Sequence, residues 1–420
     1  MRHVLAQTRS FSPAARLLMV NQFAINLGFY MLMPYLATHL SGDLGLTAWT
    51  VGLVLGVRNL SQQGMFLIGG TLADRFGYKA PILAGCLLRT GGFALLGWVD
   101  SLPALVAASA ATGFAGALFN PAVRAYLAAE AGERRVDAFA TFNVYYQAGM
   151  LLGPVVGLAL LAADFRLVCT VAAAIFAALS VLQARALPAR HDAGARPAAR
   201  GTAGPSVWGQ WRQVVANRPF LLFSAAMIGS YVLTFQVYLV LPLAADSALG
   251  ADGARVTSGL FVVSAAVAVA GQLRLTCWAK RRLTPHRALV LGLAAMGAAF
   301  VPLVLVPAGS GAGALVALVV TVAVLAAAGA VVYPFEMDTV VALSGNRLVA
   351  THYGLYHTVS GLGITLGNLA LGALWDTTHA DAPWAVWVAL ALTGAGCAAA
   401  VAALARTGHL TTPAVRPATA

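Results

Sequence analysis

The chain has 420 residues, 60% of them hydrophobic and only 10% charged, with a formal net charge of +12. A water-soluble globule of this size cannot hide so much apolar surface, so lipid must be the solvent for most of it. The basic surplus invites nucleic-acid binding, but its distribution along the chain, given below, excludes that class.

At roughly 20 apolar residues per helical span, the apolar runs predict twelve transmembrane helices. They fall at 16–40, 48–73, 80–99, 102–128, 138–162, 165–187, 220–244, 256–279, 288–306, 312–343, 352–374 and 383–405. Residues 1–13 are polar and lead into an apolar run too long for a signal-peptide core, so no cleaved leader is expected. Span 1 carries Asn21, Gln22, Asn26 and the run Tyr30-Met-Leu-Met-Pro34. Spans 2 and 3 carry Arg58 and Arg89 near their middles. A charge inside a bilayer costs about 2.5–3.5 kcal/mol on insertion scales. Both arginines therefore need backbone carbonyls, water, an acid across a cleft, or an anionic group on a substrate.

Between spans 2 and 3 runs Gly70-Thr-Leu-Ala-Asp74-Arg75-Phe-Gly77-Tyr-Lys79. A turn this short predicts an antiparallel hairpin, with Gly77 at positive φ ending one helix and starting the next. Asp74 falls at a helix C-terminus, where the dipole disfavours an anion, and so calls for a cationic partner. Arg124, near the same end of span 4, is the expected one.

Span 5 holds Asn143, Tyr146 and Gln147, followed by Gly149, Gly153 and Gly157 with Pro154 among them. Glycine at every fourth position makes a groove that admits a neighbouring helix closely, and Pro154 kinks the helix there. Residues 188–219, rich in Ala, Gly, Pro and Arg, break the apolar rhythm and read as a linker ending in an amphipathic piece at 208–215. The expected domains are a six-helix bundle at 1–187, a linker at 188–218, a second six-helix bundle at 219–406 and a tail at 407–420.

The halves echo each other at an offset of about 210 residues, a parallel duplication. Tyr30…Pro34 matches Tyr238…Pro242, and Gly116…Pro121…Arg134…Gly153 matches Gly329…Pro334…Arg347…Gly367. The second-half turn, 280–287, is basic but has Lys280 where Asp74 would stand, so any latch is expected to work from the first half alone. Gln236 and Tyr238 are the polar positions of span 7.

Of the fourteen acids, only Asp74, Glu336 and Asp338 fall within or at the ends of spans. Proton coupling needs a carboxylate shielded from water that holds a proton on one side and releases it on the other. Glu336, just past Pro334 and about two turns from the helix end, is the expected proton-coupling residue. Asp338 is the second choice; at about 100° per residue it points roughly 200° away. Tyr333 precedes them, and Tyr353 and His357 follow in span 11. The eight His are scattered, the four Cys (86, 169, 277, 397) have no ligand spacing and read as packing residues, and no phosphate loop occurs. No enzyme, catalytic residue, cofactor or metal site is expected.

With span 1 running outward, twenty of the 26 Lys and Arg fall on the inner side and two, Arg166 and Arg255, on the outer; the other four lie within spans. The positive-inside rule then puts both termini in the cytoplasm. The surplus is a topology signal, not a nucleic-acid patch.

These motifs resemble those of the major facilitator superfamily, and of its twelve-helix drug/proton antiporters in particular. The 70–79 turn is similar to that family's motif A, and Gly149-x-x-x-Gly153-Pro154-x-x-Gly157 to antiporter motif C, with Leu158 where a further Gly is frequent. Arg58-Asn-Leu-Ser-Gln62-Gln63-Gly64, Leu88-Arg89-Thr-Gly-Gly-Phe93, Phe165-Arg166-Leu-Val-Cys169 and Tyr333-Pro-Phe-Glu336-Met337 carry the likeness further. Ser109 replaces the usual motif B arginine, and amides replace the acid many relatives have in span 1.

The resemblance implies an all-α membrane protein of two pseudo-symmetric six-helix bundles working by alternating access. It implies proton-coupled export of small lipophilic compounds, with no cofactor beyond the proton gradient, from a monomer in a bacterial inner membrane. It implies a gate on Gly70, Asp74, Arg75, Gly77, Lys79 and Arg124, whose Asp74–Arg124 pair locks the halves outward-open. It implies a cleft lined by Asn26, Tyr30, Arg58, Arg89, Asn143, Tyr146, Gln147, Gln236, Tyr238, Tyr333, Tyr353 and His357. Aromatic rings with few fixed charges suit bulky lipophilic cations or neutral drugs. The alternatives are a specific metabolite transporter on the same fold or a membrane receptor that has lost transport.

Overall fold

The computed structural model describes residues 2–188, 206–306, 310–378, 381–382 and 384–410. Most of the expected linker (189–205) and most of the tail (411–420) lie outside the described residues. Every regular element among the described residues is helical. In chain order these are α1 (Arg2–Arg9), α2 (Pro13–Thr38), α3 (Ala48–Gly64), α4 (Phe66–Phe76), α5 (Lys79–Trp98) and α6 (Leu102–Ala131). Next come α7 (Arg135–Leu161), α8 (Phe165–Ala186), the linker helix α9 (Val207–Val215), α10 (Arg218–Phe235), α11 (Val240–Leu249) and α12 (Gly253–Arg282). The chain finishes with α13 (Pro285–Ala298), α14 (Val301–Leu305), α15 (Gly311–Ser344), α16 (Val349–Thr378) and α17 (Trp384–Arg406).

Nine continuous stretches among the described residues are long and apolar enough to cross a membrane. One of them, Leu102–Leu161, doubles back at Gly132 (φ 53°) and so makes two crossings. With α2 and the α3–α4 pair, these give twelve spans. Three spans are broken, two of them by proline. Pro242 and Pro302 lack the N–H that would bond the carbonyl four residues back, and the helix is interrupted just before each, at Gln236–Leu239 and Ala299–Phe300.

The α4–α5 turn follows from its residues. Gly77 adopts φ 82°, and Lys79 Nζ donates to the Ala184 carbonyl in the last turn of α8 at 2.8 Å. Every hairpin of this kind, with the starts of α2 and α10 and the end of α17, lies at one end of the bundle. Because most of the Lys and Arg residues lie there, it is called the basic end below.

Within the first bundle α7 packs on α2, and α5 on α6 and α8; within the second, α13 packs on α17 and α15, and α12 on α15. The glycine run of α7 faces α2. A Cβ on Gly149 would stand 2.5 Å from the Phe23 carbonyl oxygen, and one on Gly153 2.6 Å from Tyr30 Cβ; Gly157 abuts the Met31 carbonyl in the same way. The run thus cements one bundle internally. Gly153→Val should destabilise the protein by about 1–3 kcal/mol through overpacking, read as a lowered melting temperature of the purified chain.

The bundles meet along α4 with α16, and α7 with α12 and α15. On α7 the residues toward the basic end, Ala138 to Val144, are buried, whereas Leu152, Val155 and Leu158 toward the other end are exposed. On α16 the same contrast separates Val349–Gly354 from Leu362, Leu366 and Leu369. The contact between halves is therefore tight at the basic end.

Candidate substrate cleft and gate

Two adjoining cavities, of about 250 and 200 Å³, lie between the bundles and share Arg124, Tyr146, Tyr231, Phe235 and His357 in their walls. They form one cleft with two lobes. The larger lobe is built around Pro334 of α15. Proline cannot bond the Ala330 carbonyl, and Gln272 of α12 takes its place, donating to that oxygen at 2.6 Å. Gln272 in turn accepts from Asn143 Nδ2 of α7 at 2.7 Å, so a freed carbonyl in one half is tied to the other.

Glu336, two residues past Pro334, is 4% exposed and lines this lobe. Its Oε1 accepts from the Tyr356 hydroxyl, and the Tyr231 phenol and the Arg124 guanidinium stand beside it. Arg124 donates to Asn120 through Nη1, at 3.1 Å to the carbonyl and 3.3 Å to Oδ1, and its Nε is buried without a partner. The cluster spans both bundles, with Arg124 from α6 and the carboxylate and phenols from α10, α15 and α16.

The smaller lobe lies against the first bundle. Arg89, 6% exposed, lines it and stacks 5.5 Å from the ring centroids of both Phe29 and Phe176. Arg58 lies 5.1 Å from the Phe29 centroid and donates to Asn59 Oδ1. Cation–π contact with flanking rings is thus how this bundle accommodates one buried guanidinium, Arg89, and one half-buried one, Arg58.

Eight of the twelve expected cleft residues line the lobes: Asn26, Tyr30, Arg89, Asn143, Tyr146, Gln147, Tyr333 and His357. The other four do not. Arg58 stands behind Phe29. Gln236 is turned inward to the Val232 carbonyl and Asn368, at 2.7 and 3.2 Å. Tyr238 is 51% exposed, with its ring against Phe261. Tyr353 is buried, donating to the Met337 carbonyl at 2.8 Å. Asp338 also lies outside the cleft. It pairs with Arg135 Nε at 2.6 Å at the basic end, because two residues along a helix turn it away from Glu336. Tyr231, Phe235, Gln62 and Asn120 line the cleft without having been expected there. Tyr231 had one legible signal, since its spacing of seven residues, or two turns, before Tyr238 would put both on one face of an unbroken helix.

The gate differs from its expected form. Asp74 does not pair with Arg124, which points into the cleft. Instead Oδ1 accepts from the Ala350 N–H at 3.0 Å, and Oδ2 from the Thr351 N–H and hydroxyl at 2.7 and 2.6 Å. Asp74 therefore sits on the first turn of α16, where unpaired N–H groups and the positive end of the dipole favour an anion. Gly70 permits this approach, because a Cβ there would run into the Ala350 carbonyl. Arg75 is exposed at the turn. Gly70→Val should bar the halves from closing at the basic end, raising labelling of a cysteine placed at that seam at least several-fold.

The second-half turn also takes part, contrary to the expectation that the first half latches alone. Lys280 Nζ of α12 bonds both oxygens of Asp137 on α7, at 2.7 and 2.8 Å. By the internal repeat, α12 and α7 correspond to the α3–α4 span and α16. The lost acid is thus replaced by a base facing an acid in the first turn of the opposite helix. That pair is partly exposed, with side chains 39% and 23% accessible, and is worth about 0–1 kcal/mol. Lys280→Glu should loosen the seam less than loss of Asp74 does, and Lys280→Glu with Asp137→Lys should restore it, read by the same labelling. Trp211 of α9 adds a bond to Thr71 of α4 at 2.8 Å.

A family model described as Major Facilitator Superfamily matches residues 18–368. An uncharacterized MFS-type transporter of Mycobacterium tuberculosis is 54% identical over 390 residues, 92% of each chain. Multidrug resistance protein MdtH of Yersinia pestis is 28% identical over 393 residues, 93% of this chain and 94% of that one. Among solved structures, the human organic anion transporter MFSD10 superposes with a TM-score of 0.72 at 15% identity, covering 92% of this chain and 100% of that one. The Escherichia coli fucose:proton symporter FucP gives 0.72 at 15%, with coverage of 92% and 97%. At such identities these likenesses show the fold.

Proposed function

The chain belongs to the major facilitator superfamily as a multi-pass membrane transporter of small molecules, and from that premise we propose that it is a proton-coupled exporter working by alternating access. The single observation that carries this reading is Glu336. Among the described residues it is the one acid lining either lobe of the cleft, and it is shared between Arg124 of one bundle and Tyr231 and Tyr356 of the other. A proton taken up there cancels its attraction to Arg124 and so alters the contact between the halves, which is what coupling requires. The name of the 28% identical MdtH and the motif C pattern support export of lipophilic compounds. The charge asymmetry supports an inner-membrane protein with the basic end and both termini in the cytoplasm, divided at the 188–218 linker. No chemical transformation of the substrate is part of this reading.

With the basic end closed, Asp74 and Lys280 hold the outward-facing state, and their release opens the cleft inward. The test is a growth-inhibition panel in a pump-deficient bacterial host, with and without a proton uncoupler. Expression should raise the tolerated concentration of at least one compound severalfold, and the uncoupler should erase the gain. Resistance that survives the uncoupler would overturn proton coupling.

A further inference from the structure

The smaller lobe holds positive charge that its walls do not neutralise. Arg89 is 94% buried by the complement of its 6% exposure, it lines the lobe, and its Nε has no hydrogen-bond partner. Arg58, one ring away across Phe29, likewise has a buried, unpartnered Nε. No Asp or Glu is among the described residues lining this lobe. Among the described residues the one carboxylate of the cleft, Glu336, lies in the larger lobe, where Arg124 already stands beside it. Two guanidiniums lining the cleft, Arg89 and Arg124, thus share one carboxylate, and Arg58 adds positive charge from behind Phe29 on the side of the first bundle.

Aromatic faces steady these guanidiniums but supply no acceptor. A planar guanidinium with free N–H groups matches a carboxylate in two parallel hydrogen bonds. The rest of the lobe is mixed, with one apolar strip along Ile25, Phe29, Phe66, Phe235 and Ile364 and neutral amides from Gln22, Asn26, Gln62, Gln63 and Asn120 beside it. We infer that this lobe binds the carboxylate of an organic anion with an apolar body, Arg89 receiving the acid and Arg58 adding to its field. The inference rests on the reading of the cleft as the substrate site, and it replaces the lipophilic cation expected from the aromatic lining with a lipophilic acid. An anion neutralises the excess charge in the lobe and leaves Glu336 free to exchange its proton in the other.

The test is equilibrium binding to the purified full-length protein of benzoate, salicylate and 1-naphthoate, each against its uncharged amide. At least one acid should bind roughly tenfold more tightly than its amide, as a charged hydrogen bond at a desolvated site requires. Arg89→Gln should erase that preference, and Arg89→Lys, which keeps the charge, should retain much of it. If no acid binds better than its amide, or the preference survives in Arg58→Gln/Arg89→Gln, the inference is wrong. Should the glutamine variants not fold, the wild-type acid-to-amide ratio and the lysine variant still decide. Proton flux in proteoliposomes separates the two readings. Drug-coupled flux without acid preference sinks the anion site alone, whereas acid binding without any coupled flux sinks the exporter alone.

Discussion

Glu336→Gln is expected to abolish substrate-driven proton movement, by a hundredfold or more, while leaving the protein folded in the membrane. Glutamine has nearly the same shape, and its amide oxygen still accepts from the Tyr356 hydroxyl. What it removes is the group that takes and releases the proton, and with it the charge opposite Arg124. Substrate exchange across the membrane without a gradient should persist, because the cleft keeps its form. Proteoliposomes with an internal pH dye separate the two activities, flux being lost and counterflow retained. Wild-type resistance in cells expressing the variant would sink the assignment.

Asp74→Ala should open the basic end. It leaves the N–H groups of Ala350 and Thr351 and the Thr351 hydroxyl without their acceptor. Each orphaned buried donor costs about 1–3 kcal/mol, and loss of the charge at the helix start adds roughly 0.3–1 kcal/mol. A total of about 2–4 kcal/mol, discounted for water entering the opened seam, shifts a two-state equilibrium by roughly 30- to 1,000-fold. Spin labels at the ends of α4 and α16 should report a second, longer distance that wild type lacks. Asp74→Asn should move the distribution part of the way, since one acceptor remains while the charge is gone. An unchanged distance distribution and native transport rate in the asparagine variant would show that Asp74 is no latch.

The architecture was legible because lipid imposes a length of apolar sequence that no other environment demands, and twelve such runs reappear as twelve spans. The turn at Gly77 was legible because a glycine among charged residues between two apolar runs marks a reversal at positive φ. Glu336 was found by the rarity of acids in spans. The partner of Asp74 was not legible, because it is a main-chain N–H and every residue but proline has one. Arg124 was misplaced for the opposite reason. A long side chain near a helix end can reach either the seam or the cleft, and Asn120 and the phenols beyond it decide the matter only in three dimensions. Asp338 shows the same limit, its Arg135 partner lying 203 residues away. The breaks that divide α10 from α11 and α13 from α14 follow prolines visible in the sequence, but prolines inside α6, α7 and α15 break nothing.

The catches formed by Asp74 and by Lys280 at the basic end are of different physical kinds. Asp74 is 5% exposed and grips main-chain amides, whereas Lys280 and Asp137 meet as partly exposed side-chain ions in contact with solvent. Dissolved salt reaches the second and not the first, since screening acts over about 8 Å at physiological ionic strength and chiefly on exposed charges. A rise in ionic strength on the side of the basic end therefore weakens one edge of the seam and spares the other. Any loosening then begins along α7 and α12, as a door eases from its frame, while α4 and α16 hold as the hinge.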